Sequence, residues 1–121
     1  MLFRSVALVV SMRAGGVLAA PPSTVEVTPQ RVGTHSWYVR GQSGIPSGAN
    51  QGFTANAGFV VTPQGVVVFD ALGTPPLGDA LIRAIRSVTD KPVRRVVVSH
   101  YHSDHFYGLQ AFKAKIGRAH V

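Results

Sequence analysis

Three histidines and an aspartate fall within six residues, His100-Tyr101-His102-Ser103-Asp104-His105. Imidazole and carboxylate are the side chains that bind divalent cations of the zinc class. His100 and His102 are two residues apart, so on extended chain their rings project to one face and reach one cation at about 2.0–2.1 Å. Asp104 and His105 add a hard oxygen and a further imidazole, enough for a second cation or a bridging water. A cation held this way lowers the pKa of bound water to about 7, and two cations about 3.5–4 Å apart hold a nucleophile and a developing oxyanion together. The chemistry expected is hydrolysis without a protein nucleophile. Singly, each of these histidines is better explained as an ordinary surface or core side chain, and Asp104 as a turn residue. Gathered in one hexapeptide, they are not.

The elements that must position this cluster can be traced backwards from it. Val93 to Ser99 is a short β-rich run, and the unbroken Val96-Val97-Val98 predicts burial on both faces. Before it, Leu77, Ala80, Leu81, Ala84, Ile85 and Val88 recur at helical spacing, with Thr74 as cap, Pro75 in the first turn and a stop near Asp90-Lys91-Pro92. Residues 56–61 and 66–70 are two β-rich runs joined by Thr62-Pro63-Gln64-Gly65, a hairpin. Residues 34–40 suit another strand, residues 41–52 a long polar loop, and residues 21–31 an extended lead-in. After the cluster, a helix is expected from Phe106 to Lys115, with Leu109, Phe112 and Ile116 on one side. Tyr101 and Ser103 serve as spacers, Ser103 with a possible hydrogen bond inside the turn, and Tyr107 is expected in the core. The order predicts an α/β domain.

Hexapeptide and element order together resemble the HxHxDH signature of the metallo-β-lactamase superfamily, over about Asn56 to Phe112. The resemblance implies the N-terminal half of an αβ/βα sandwich. It also implies that His100 and His102 bind a first zinc, that Asp104 and His105 bind a second, and that Asp104 steers the attacking hydroxide as the catalytic residue. Asp70 falls where the family keeps a supporting aspartate. Iron is the alternative metal, since these donors do not by themselves select zinc. The implied activity is cleavage of an ester, thioester or amide bond in a small-molecule substrate by a metal-activated hydroxide. His105 after Asp104 resembles the hydroxyacylglutathione hydrolase (glyoxalase II) and β-lactamase branches. Phe106-Tyr107-Gly108 departs from the small pairs usual there, and residues 100–112 resemble periplasmic metallohydrolases associated with quinoprotein or sulfur-oxidation systems. A persulfide dioxygenase and a non-functional truncated fragment are the remaining alternatives. The family draws further ligands from its second half, for which His35 and His120 offer no counterpart, so this chain by itself is expected to hold zinc weakly and turn over little.

Composition narrows the setting. The 121 residues carry a formal charge of +7, yet residues 20–115 hold nine Lys and Arg against five Asp and Glu, without a like-charged block or a basic aromatic stripe, so no nucleic-acid partner is expected. Cysteine is absent, which excludes a thiol nucleophile and a zinc ribbon. Residues 1–19 resemble an export signal, with Arg4, an apolar run at 6–10 and small residues at 17–19, so a periplasmic or secreted location is expected, or a cytoplasmic one if the segment is no signal. Arg13 interrupts the apolar region, so no stable membrane anchor is expected. Residues 116–121 resemble a translated sequencing adapter and are expected to be a non-native tail, leaving 20–115 as a partial domain. Oligomeric state is not encoded in any pattern present.

Overall fold

A computed structural model describes residues 21–116; the expected export signal and the tail beyond Ile116 lie outside the described residues. Five strands form one sheet in the order β1-β2-β3-β4-β5: Gln30–Arg31, Ser36–Val39, Ala57–Thr62, Gly65–Phe69 and Val93–Val97. Successive pairs are antiparallel except β4 and β5, which run parallel. That parallel step requires a crossover, supplied by helix α1, Pro75–Val88. Two shorter helices follow β5, α2 at Ser103–Phe106 and α3 at Leu109–Ile116.

The hairpin closes where the sequence predicts it, with Thr62 opposite Gly65 around Pro63-Gln64. Gly65 has a φ of 136°, open to glycine at no steric cost. Thr74 caps α1, its hydroxyl accepting the Leu77 N–H at 3.2 Å. Trp37, Phe59, Val68 and Val96 stand side by side across β2 to β5, on the face that Leu77, Leu81, Ile85 and Phe112 cover. Phe59, Val68, Val96, Leu81 and Phe112 are almost fully buried, and each such side chain contributes roughly 1.5–3 kcal/mol of burial.

Three expectations are corrected and a fourth is refined. The valine run is not buried throughout: Val96 is, whereas Val97 and Val98 are half-exposed, because the helices cover one sheet face and the strand ends at Val97. The helical segment begins at Ser103 rather than Phe106 and breaks at Tyr107-Gly108. Tyr107 stands at that break with 51% of its surface exposed, its ring 4.8 Å from that of Phe106 and tilted by 40°, instead of entering the core. The lead-in, expected merely as extended, ends in the paired strand β1, and Val25 and Val27 pack against the core. Among the described residues no helix is long and apolar enough to cross a membrane.

Candidate metal centre

Strands β4 and β5 run parallel and end together, so Asp70 and the chain beyond Val97 emerge at the same sheet edge. The Asp70 N–H donates to the Val97 carbonyl at 2.8 Å, closing the ladder at the point where both strands stop. From there the chain after β4 turns sharply, with Asp70 and Leu72 both at φ 65°, in the left-handed region that L-residues other than Asn and Asp seldom occupy. The Ala71 N–H donates to the His105 carbonyl at 2.9 Å, and the Gly108 N–H to the Leu72 carbonyl at 2.9 Å, so this turn is sewn to α2 and to the start of α3. A Cβ on Gly108 would stand 1.8 Å from the Ala71 carbonyl oxygen, which only glycine avoids.

The cluster residues come together as two donor pairs. His100 Nε2 and His102 Nδ1 are 3.0 Å apart. His105 Nε2 and Asp104 Oδ1 are 3.6 Å apart. Two donors bound at about 2.0–2.1 Å to one tetrahedral ion stand about 3.3–3.4 Å apart. Each pair is therefore within a few tenths of an ångström of that spacing. The His100 and His105 rings lie 4.1 Å apart between centroids, which places the two pairs side by side. Among the described residues, however, no group of three or more His, Asp or Glu side chains is disposed to hold one ion. The facing nitrogens of His100 and His102 are at hydrogen-bonding distance. The donor set suits a metal of the zinc class, and these side chains supply it two donors at a time.

Asp70 anchors the cluster from behind. The residue is 8% exposed, and its carboxylate accepts the Ser99 N–H at 2.7 Å, the Ser99 hydroxyl at 2.8 Å and His105 Nδ1–H at 2.8 Å. Burial by itself would raise this carboxyl. The Ser99 N–H, the His105 ring and the Ser99 hydroxyl outweigh it and hold the group below its ordinary range. Ser99 also contacts His100, its Oγ 2.8 Å from Nδ1. The sequence signals Ser99 only as the last residue of a strand; a hydroxyl immediately before the first histidine was the available clue. Tyr101 lies outside the pairs, 83% exposed, and Ser103 opens α2, its carbonyl accepting the Tyr107 N–H. His35 sits exposed in the β1–β2 connection, and His120 lies outside the described residues. A cavity of about 340 Å³ beside the cluster is lined by Val98, Ser99, His100, Tyr101, Phe106 and Leu109.

An α/β sheet that delivers histidines and carboxylates from the ends of two parallel strands is the architecture of a metallohydrolase fold. The family model of the metallo-beta-lactamase superfamily matches residues 50–120, and the chain belongs to that superfamily. It is similar to a linear primary-alkylsulfatase from Pseudomonas sp. (strain ATCC 19151), 28% identical over 54 residues, which cover 45% of this chain and 10% of that protein. Among solved structures, the stereoselective inverting sec-alkylsulfatase Pisa1 from Pseudomonas sp. is 28% identical with a TM-score of 0.56, covering 70% of this chain and 12% of that one. The metallo-beta-lactamase FIM-1 from Pseudomonas aeruginosa, solved in a mono-zinc form, shares the fold with a TM-score of 0.61 at 20% identity, covering 77% of this chain and 40% of that one. The chain thus spans about a tenth of the alkylsulfatases and two fifths of the β-lactamase. The expected N-terminal fold of this superfamily is present, and its hydrolase-type architecture with it.

Proposed function

We propose that this chain carries the metal-ligating strand ends of a zinc-dependent hydrolase that cleaves an ester-type bond in a small molecule. The observation that supports it most is the 3.0 Å approach of His100 Nε2 and His102 Nδ1 beside the Asp104–His105 pair. His100 and His102 would hold one ion, and Asp104 and His105 a second. Zinc bound there would supply Lewis acidity and bring the pKa of water down to about 7. The chain's own residues orient and balance charge. Asp70 fixes the His105 ring through Nδ1, which leaves Nε2 turned toward Asp104. The Asp104 carboxylate, exposed enough to meet solvent, would accept a proton from an attacking water and aim it. Each pair supplies two of the four donors that a tetrahedral ion takes, so turnover needs donors beyond these four side chains.

The named relatives favour one substrate class within ester hydrolysis. Two are alkylsulfatases at 28% identity, and the cavity beside His100 is lined largely by carbon, which suits the alkyl part of a sulfate ester. A carboxylic ester or thioester is the second candidate, and iron in place of zinc the alternative metal. The proposed setting is the periplasm or the cell exterior, on the strength of residues 1–19.

The test is equilibrium zinc titration of the full chain against a chelator of known affinity, with His100→Ala and His102→Ala beside it. We expect measurable but weak binding that each substitution reduces at least tenfold. Binding absent from the unsubstituted chain, or indifferent to both substitutions, would refute the proposed ligands. Metal analysis of the protein purified with its native metal, and its rates on an alkyl sulfate, a thioester and a β-lactam, decide among the metals and substrates.

A further inference from the structure

The proton inventory around Ser99 assigns that residue a role. The Asp70 carboxylate gathers three partners, the Ser99 N–H on Oδ1 and both Ser99 Oγ and His105 Nδ1 on Oδ2, which is the arrangement of an acceptor, so in the 2.8 Å contact between Ser99 Oγ and Asp70 Oδ2 the serine hydroxyl is the donor. A hydroxyl has one proton. The second 2.8 Å contact, between Ser99 Oγ and His100 Nδ1, then requires the ring to donate. His100 consequently carries its proton on Nδ1 and presents the Nε2 lone pair toward His102. His105, donating from Nδ1 to the same carboxylate oxygen, is held in the same form directly. One buried carboxylate thus dictates the protonation of two rings, and it reaches the first only through the serine.

We infer that Ser99 is a positioning residue: it relays the hydrogen-bond demand of Asp70 to His100, locking that ring as the Nδ1–H tautomer with Nε2 free to accept a cation. Partners of this kind fix which nitrogen of an imidazole is available, and their loss typically lowers metal affinity 10–100-fold. The cation part rests on the function proposed above. The tautomer part stands without it. The Ser99 N–H donates independently to Asp70 Oδ1, so the backbone link survives any side-chain change and the hydroxyl can be tested alone.

The experiment compares Ser99→Thr and Ser99→Val, side chains of one shape that differ by a hydroxyl, in the full chain labelled with ¹⁵N-histidine. Imidazole nitrogens are read by NMR without metal, at a pH of about 8, above the reference imidazole pKa of about 6.5. We expect His100 as the Nδ1–H form in the unsubstituted chain and in Ser99→Thr. In Ser99→Val it should move toward the Nε2–H form while His105 keeps its Nδ1–H signal. Zinc affinity should fall roughly 10–100-fold in Ser99→Val and be restored in Ser99→Thr. An Nε2–H form of His100 in the unsubstituted chain, or the same His100 signals in both variants, would overturn the relay. Absence of any zinc response with the tautomer shift intact would instead overturn the metal assignment and leave the relay standing.

Discussion

Replacing Asp70 by Asn isolates the charge at the centre of this site. Asparagine has the same shape and also tolerates the left-handed φ of 65° found there, so the backbone is undisturbed. Its carbonyl oxygen still accepts the Ser99 N–H, now as a neutral bond. The amide nitrogen, however, takes the place of Oδ2 and meets the Ser99 hydroxyl and the His105 ring nitrogen, both donors in the native arrangement. The serine can reverse its proton; His105 loses its acceptor. Hydrogen bonds to charged groups contribute about 1.5–3 kcal/mol against about 1 kcal/mol for neutral ones. Weakening one such bond, reversing a second and losing the third costs about 2–3 kcal/mol in this setting. With a urea dependence of about 1.5 kcal/mol per molar, the unfolding midpoint of the full chain, followed by circular dichroism, should fall by about 1–2 M. Asp70→Ala should cost about 1 kcal/mol more, because alanine pays for the left-handed backbone that Asp and Asn accept. An Asp70→Asn midpoint equal to that of the unsubstituted chain would refute the reasoning, as would an Ala variant no less stable than the Asn one.

Two further outcomes follow from the same interlocked turn. Acid should remove the Asp70 contribution. A carboxyl held below its ordinary value of 3.8 stabilises the fold fully above that pH and loses its effect as pH falls through the lower folded value. Urea midpoints measured from pH about 5 to about 2 should therefore drop more steeply for the unsubstituted chain than for Asp70→Asn, and parallel curves would contradict this. Gly108→Ala drives a methyl into the Ala71 carbonyl, where the nearest atoms, of Ala71 and Leu72, are backbone atoms that cannot swing aside. It should lower stability by about 3 kcal/mol or more and the melting temperature by about 12 °C or more; a melt within 2 °C of the native one would show that the turn yields freely.

Much of the scaffold was legible along the chain because its signals are local. Thr62-Pro63-Gln64-Gly65 makes its own turn, Thr74-Pro75 starts its own helix, and the apolar spacing from Leu77 to Val88 marks its own buried face. The hexapeptide is local in the same sense: its four donor side chains lie within six residues and meet as two neighbouring pairs. Residues 93–99 show where this logic stops. Valines at 96, 97 and 98 are equally apolar; the covering of one sheet face by α1 and α3 buries Val96 and leaves Val97 half-exposed, and Val98 is half-exposed because the strand ends before it.

The Asp70 carboxylate and the Ser99 hydroxyl are 29 residues apart in sequence, and nothing in either neighbourhood announces the other. They meet because α1 returns the chain so that β5 lies parallel to β4 and both strands end at one edge. Composition and spacing therefore determined the donor chemistry on offer, imidazole and carboxylate side chains of the kind that suit a cation. Tertiary structure alone decided which ring nitrogens meet Ser99 and Asp70, His100 Nδ1 and His105 Nδ1, because the Asp70 contacts span 29 to 35 residues of sequence that no local pattern encodes.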